Sequence, residues 1–419
     1  MPTKTLQSKI PKLRFPSFSG GWDEKKLADV FAKIRNGFVG IATPFYVHNG
    51  VPYLQGKNIK DGQIIDDDLI YVSKIFHKKQ KNSQLKEGDL LMVQSGHVGE
   101  CAVVGPQFVN GNCHAILVMT PKKEAIDSNF IKYIFYSRIG LKIITKITTG
   151  NTIQHVLASD IGKIRTNIPS ILEQQKIAGF LGATDEWIEN LRTQKENLEF
   201  YKKGMMRKIF SQEIHFKDNN GKNFPKWEEK KLSEIGKTYN GLTGKSGEDF
   251  GDGESFVTYK QIFDSNEIDI NKFALVKVGA KEKQNKAQFG DIFFTTSSET
   301  PLEVGFASVL LNKNTSPYLN SFSFGFRANS LKKLDPYFAK FFFRSFIFRK
   351  EVVKLAQGST RYNISKIEFM KIELSLPSYP EQQKIAKFLT SVDSIIESKQ
   401  QQITQAEQWK KGLMQGLFV

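Results

Sequence analysis

Pro169-Ser170-Ile171-Leu172-Glu173-Gln174-Gln175-Lys176-Ile177-Ala178-Gly179-Phe180-Leu181 returns as Pro377-Ser378-Tyr379-Pro380-Glu381-Gln382-Gln383-Lys384-Ile385-Ala386-Lys387-Phe388-Leu389, 208 residues later. The same offset carries the match outward without a gap, from 130–210 onto 338–418, and about 30 of those 81 pairs are identical. Phe130, Lys132, Phe135 and Ser137 pair with Phe338, Lys340, Phe343 and Ser345. Asp185 pairs with Asp393, and Lys202-Lys203-Gly204 with Lys410-Lys411-Gly412. A self-match of this density at a fixed offset marks a duplication.

Each copy of the motif reads as the start of a long helix. Ser170 and Ser378 stand three residues before Glu173 and Glu381, the spacing of a capping box. Pro380 is tolerated because first-turn amides have no intrahelical acceptor. Apolar residues then recur at alternating steps of four and three: Ile177, Leu181, Ile188, Leu191 and Leu198 in one helix, Ile385, Leu389, Ile396 and Ile403 in the other. That is a coiled-coil seam, interrupted by Lys195, Lys202, Lys399 and Lys410. The simplest partner for each helix is the other, and about 40 residues at 1.5 Å make a rod of roughly 60 Å. Antiparallel packing would place the two preceding regions at opposite ends of that rod. Two similar domains on a fixed spacer suit a reader of two half-sites on one duplex.

Those preceding regions align only with shifted offsets. Trp22-Asp23-Glu24-Lys25-Lys26-Leu27 resembles Trp227-Glu228-Glu229-Lys230-Lys231-Leu232, and Gly88-Asp89 matches Gly290-Asp291. Each half therefore has a shared tail and a divergent head. The expected fold is α+β: two tandem pseudo-symmetric heads at 1–168 and 214–376, joined by two long antiparallel coiled-coil helices at 169–213 and 377–419. The Phe-rich segments 128–147 and 336–355 should be helices that pack each head onto the start of its rod.

Composition narrows the partners. Sixty Lys+Arg against 43 Asp+Glu leave a net charge of +17, which favours polyanions, nucleic acid ahead of an anionic membrane. Cys101 and Cys113 form no CxxC pair and read as reduced thiols. No apolar leader opens the chain, and its greasiest stretch, 338–348, is broken by Lys340 and Arg344, so a cytoplasmic protein with no membrane partner is expected.

The repeated P-x-x-x-EQQKIA-x-FL block, leading into a long helix at the end of each half, resembles the signature of the type I restriction–modification specificity subunit family. The order of variable recognition domain, conserved helix, second recognition domain and second helix is similar too. The resemblance implies a non-catalytic, sequence-specific DNA-binding subunit with a bipartite, asymmetric target whose gap is set by helix length. It also implies two methyltransferase (modification) subunits and motor–nuclease (restriction) subunits as partners. S-adenosylmethionine, ATP and Mg would belong to those partners, and none would be bound by this chain. The family's common Leu-Pro-Pro-Leu lead-in reads here Ile168-Pro169-Ser170-Ile171 and Leu376-Pro377-Ser378-Tyr379.

Base contacts need amides, Arg and hydroxyls at loop tips, while phosphate contacts need Lys and Arg. Three places in each head offer them. The first is Gln55, Lys57 and Asn58, facing Thr258, Lys260 and Gln261; a solvated turn after a strand would read the same way. The second is Ser95 and His97, with Thr296 and Ser297 opposite, just after apparent strands at 89–93 and 291–294. The third is Thr149, Asn151, Thr152 and Gln154, facing Ser359, Thr360, Arg361 and Asn363. This last segment is polar, contains Gly150 or Gly358, and precedes the shared tail. Lys245 lies in Thr243-Gly244-Lys245-Ser246, which lacks the first P-loop glycine because position 239 is Tyr, and reads as a basic loop touching phosphate.

No Asn-Pro-Pro-Tyr/Phe or Asp-Pro-Pro-Tyr tetrapeptide occurs, so an amino-methyltransferase site is not expected, and no catalytic or metal-ligating residue is assigned. His97 and Cys101 could share a strand face, but no second ligand pair accompanies them. A stand-alone enzyme would need a Gly-rich cofactor loop, and a DNA-mimicking decoy should be acidic. The recognition chain of a related system that fuses cutting and methylation is not separated by sequence from type I.

Overall fold

The computed structural model describes residues 10–150 and 154–419. The chain divides into two units, Met1–Arg192 with Gln401–Val419, and Thr193–Gln400. The division falls inside both long helices, Ile171–Phe210 and Tyr379–Leu417.

In the first unit, an antiparallel sheet orders Phe31–Asn36, Ile116–Pro121, Leu90–Val93 and Cys101–Val103. Leu90 to Val93 are all buried, because both faces of this sheet are covered. Successive side chains alternate between faces. Leu90 and Met92 join Leu117 and Met119 under the helix Ser128–Tyr136, whereas Leu91 and Val93 join Ile116 and Val118 in a separate cluster. A second sheet pairs Asn112–Cys113, Val51–Leu54, Ile70–Val72 and Tyr46–Val47. The second unit repeats the main sheet as Gly236–Asn240, Ser323–Ala328, Ile292–Thr295 and Ala307–Val309. Its Phe-rich segment forms helices Pro336–Phe342 and Phe346–Val353, counterparts of Ser128–Tyr136 and Arg138–Ile147. Phe338, Phe342, Phe343 and Phe348 lie in the core with Phe294, Phe324 and Phe369.

Segments of the two long helices pack antiparallel within each unit. In the first, Ile188 and Leu191 meet Ile403 and Ala406, while Asp185 pairs with Lys410 and Arg192 with Glu407 at 2.6 Å. In the second, Lys202 pairs with Asp393 at 2.5 Å. The two lysines also lie over equivalent rings, Lys410 over Tyr133 and Lys202 over Phe341. Each head holds the start of its own helix, as expected, and also the end of the other. Ile177 and Leu181 share one core with Met414, Leu417 and Phe418; Ile385 and Leu389 share the other with Ile209 and Phe210. Leu198 and Ile396 are only half-buried. The residues equivalent to Leu191 and Ile403 are Lys399 and Lys195, so the apolar seam of the first unit is not repeated.

The repeated Glu-Gln-Gln has a structural explanation. Gln174 Nε2 donates to the Ala125 and Pro169 carbonyls at 3.2 and 2.9 Å, and its Oε1 accepts from Asp127 N at 2.9 Å. Gln382 does the same with Lys333 and Pro377 at 3.0 and 2.9 Å and with Asp335 N at 2.8 Å. Asp127 and Asp335 are the N-caps of the helices starting at Ser128 and Pro336. One buried amide thus ties the long helix to the cap of the helix beneath it. The capping box itself is only half formed. Ser170 Oγ accepts from Glu173 N at 3.4 Å, but the Glu173 carboxylate is taken by Arg14, at 2.8 Å to each oxygen, and by Trp22 at 3.4 Å. Among the described residues Ser378 Oγ finds no partner. Glu381, buried like Glu173, faces no guanidinium among the described residues: Trp227 lies beside it, yet there neither the indole Nε1 nor Glu381 Oε2 completes a hydrogen bond. Burial pushes the Glu381 carboxyl above its usual range, with Trp227 and His215 pulling it down. No helix among the described residues is long and apolar enough to cross a membrane.

Candidate nucleic-acid interface

Both heads bring the same three segments to one end of one strand. In the first, Val156 N donates to Gln94 O at 3.0 Å, just past the strand Leu90–Val93, and Ser95 bridges to His155. Thr149 and His155 exchange backbone bonds of 3.0 and 2.8 Å, closing the base of the loop between them. In the second, Ile364 N donates to Thr296 O at 3.1 Å, and Ser297–Ser298 pairs with Tyr362–Asn363. Gln357 and Asn363 close that loop with bonds of 3.0 and 2.8 Å. His155 and Asn363 are equivalent in the repeat, so Ser95 corresponds to Ser297. The sequence alignment sets Ser95 against Thr296, one residue away.

The first segment joins them differently in each head. Gly56 lies against Val93, where an added Cβ would stand 3.3 Å from its side chain. Tyr259 instead donates its hydroxyl to Ser297 O at 2.7 Å. Gly358, at φ 129°, is required by the turn: a Cβ there would meet the Arg361 carbonyl at 2.1 Å.

Of the residues expected to touch DNA, Lys57, His97, Thr149 and Gln154 are exposed in the first head, and Lys260, Ser359, Thr360, Arg361 and Asn363 in the second. Gln55, Ser95, Thr258 and Ser297 are half-buried. Lys260 pairs with Asp264 at 2.8 Å. Asn151 and Thr152 lie outside the described residues. Three expectations need correction. Asn58 is buried, its Oδ1 accepting from Gln55 N and its Nδ2 donating to the Ile65 and Asp67 carbonyls, so it shapes the turn. Gln261 is buried, donating to Lys272 O. Lys245 is held by Glu282 at 2.7 Å and Asp249 at 3.8 Å with its side chain 6 % exposed, and its hydrogen bond helps depress the Glu282 carboxyl to about 2. It is bound internally, with no free face for phosphate.

His97 and Cys101 share no strand face: His97 sits in the exposed loop and Cys101 is buried on the following strand. Burial raises both cysteines, Cys113 to about 12, which holds them as thiols.

A cleft of about 1110 Å³ in the first unit is lined by Arg138, Lys142 and Lys146 from one helix and by Lys410 and Lys411 from another. Arg138, Lys142 and Lys146 fall four apart and share a face of the helix that leads into the Thr149 loop. The same cleft carries Asp61, Asp185, Glu189 and Glu407, and Glu397, the repeat equivalent of Glu189, lines a cavity of about 410 Å³ in the second unit with Glu267 and Asp269.

The sequence reading missed Tyr259, Glu299, Glu303 and Phe322, which line a cavity of about 460 Å³ with Ser297 and Arg361. One signal was available, a phenylalanine in the polar turn Asn320-Ser321-Phe322.

Two repeats of head and long helix define the fold of a specificity subunit. The solved specificity subunit of the type I restriction–modification system from M. genitalium matches 98% of this chain and 99% of its own at a TM-score of 0.54 and 16% identity. A chain from a structural study of complex assembly and conformational transition in the type I R-M system matches at 0.59 and 15% identity, covering 94% and 96%. In sequence, the MjaVIII specificity subunit of a type I restriction enzyme from Methanocaldococcus jannaschii is 25% identical over 404 residues, 94% of this chain and 91% of that one. Residues 19–199 and 225–408 both match the type I restriction modification DNA specificity domain, and the chain belongs to that family.

Proposed function

We propose that this chain binds a bipartite, asymmetric DNA target and directs adenine methyltransferase and motor–nuclease partners to it, contributing no catalytic group of its own. The observation that carries this reading is the paired set of loops. Both heads converge the same three segments on the end of the same strand, yet mount Ser95, His97 and Gln154 on one and Ser297, Arg361 and Asn363 on the other. Equivalent scaffolds with different donors and acceptors suit two different half-sites. The net charge of +17 supplies the sequence-independent attraction to phosphate. Heads read, helices set the gap and hold two modification subunits, and S-adenosylmethionine, ATP and Mg act in the partners. All of this takes place in the cytoplasm.

The test is to co-express the chain with the methyltransferase encoded beside it and sequence the host DNA for methylated bases. One motif with two fixed half-sites and a constant gap is the expected result. A stable complex that leaves DNA unmethylated would reduce the chain to a scaffold. Methylation by this chain alone would refute its non-catalytic role.

A further inference from the structure

The loop after Thr295 in the second head is longer than its counterpart after Val93. In the first head Gly99 N returns to Val93 O; in the second the return is from Gly305 N to Thr295 O. The longer loop carries Glu299 and Glu303. Arg349 holds its far side, donating to the Leu302, Val304 and Gly305 carbonyls at 2.8, 2.6 and 2.8 Å. Glu303 is engaged within the loop, accepting from Ser298 Oγ at 3.2 Å and Thr300 Oγ1 at 2.8 Å. Glu299 is exposed. Counting from Ser95 and Ser297, it occupies the position of His97 in the other head.

These residues form one wall of the cavity of about 460 Å³. Tyr259 and Phe263, stacked at 6.0 Å, and Phe322, 61% exposed, supply aromatic surface, and Arg361 belongs to the third loop. A wall bearing two carboxylates repels phosphate, so this part of the head is not built for the DNA backbone. A carboxylate accepts hydrogen bonds and donates none. The donors on major-groove base edges are the N4 amine of cytosine and the N6 amine of adenine. An exposed phenyl ring beside the acceptor suits the flat faces and methyl groups of bases.

We propose that this cavity is a base-reading subsite of the second head, in which Glu299 selects a base bearing an amine on its major-groove edge, cytosine or adenine, packed against Phe322. Glu303 and Arg349 are positioning residues that hold the loop. The subsite makes the second half-site chemically unlike the first, where His97 stands in place of the carboxylate. This inference rests on the DNA-reading function proposed above.

The experiment compares wild type, Glu299→Gln and Phe322→Ala, each co-expressed with the neighbouring methyltransferase, by sequencing methylated bases in host DNA. Both side chains are exposed, so thermal melting should be unchanged. In each variant, one position of one half-site should lose its preference, with methylation at sites carrying the wrong base there rising about fivefold or more relative to the cognate site. An unchanged motif in both variants would overturn the subsite while leaving the proposed function standing. So would a uniform fall in methylation with the motif intact, the mark of a backbone contact. A wild-type complex that methylates no bipartite motif would overturn both.

Discussion

Replacing Gln382 by Ala removes the side chain that ties the second long helix to the cap of the helix beneath it. Gln382 is 1% exposed and makes three hydrogen bonds between 2.8 and 3.0 Å. A net hydrogen bond contributes about 1 kcal/mol, and an orphaned buried N–H costs about 1–3 kcal/mol more than that of a solvated one. Truncation leaves Asp335 N and two carbonyls without this partner, so a loss of about 3 kcal/mol is expected. With a urea dependence of about 2 kcal/mol per molar, the midpoint for the second unit should fall by about 1.5 M. Unfolding followed by Trp227 fluorescence reports on that unit, since Trp22, Trp187 and Trp409 belong to the other. Gln174→Ala should produce the matching loss in the first unit. Gln382→Glu keeps the acceptor for Asp335 N but donates to neither carbonyl, and should be no better than Ala. A midpoint shift under about 0.3 M in both Ala variants would refute the reasoning, because the motif would then owe nothing to this clamp.

Further outcomes follow from the asymmetries between the repeats. Glu381→Gln should raise stability at neutral pH, whereas Glu173→Gln should lower it by about 2 kcal/mol by breaking the Arg14 pair, both read by thermal melting. Because the folded carboxyl of Glu381 titrates above its usual range, its destabilising contribution is full above that folded pKa. It fades as pH falls through the folded and then the unfolded pKa, so the benefit of Glu381→Gln should shrink on acidification. A double-mutant cycle with Asp185→Asn and Lys410→Met should give a coupling of about 0.5–1 kcal/mol, modest because both side chains are about a quarter exposed. Gly358→Ala should blunt discrimination at the second half-site in the methylation assay, with the first half-site unchanged, since the turn cannot accept a Cβ. Exchanging residues 1–168 for another family member's head should change one half-site only, and lengthening both helices should alter the gap alone.

The candidate interface was legible as three segments but not as a set of side chains. Polar stretches pointed to 94–97 and 148–155 in the first head and to 295–298 and 357–363 in the second, and the structure joins each pair through the Ser95–His155 and Ser297–Asn363 bridges. Which amides are free depended on their neighbours. Asn58 and Lys57 are adjacent in sequence, yet one is buried in its own turn and the other exposed. Lys245 reads in sequence as a phosphate contact, but Glu282, 37 residues further on, holds it.

Sequence alone determined the duplication, the long helices, the apolar positions that bury and the net positive charge. The duplication is read by laying the chain on itself, and the others from periodicity and composition, which act locally along the chain. Only the tertiary structure decided what the repeated residues hold. The Ser-x-x-Glu spacing reads as a capping box, but the Glu173 carboxylate turns to Arg14 and Trp22, and the neighbouring Gln174 and Gln382 turn to caps that precede them by 47 residues. Likewise Asp185–Lys410 and Asp393–Lys202 are equivalent ion pairs, and each needs both helices folded together. Hydrogen bonds and ion pairs depend on separations of a few ångströms, and between residues distant in sequence those separations are set by the packing of the core.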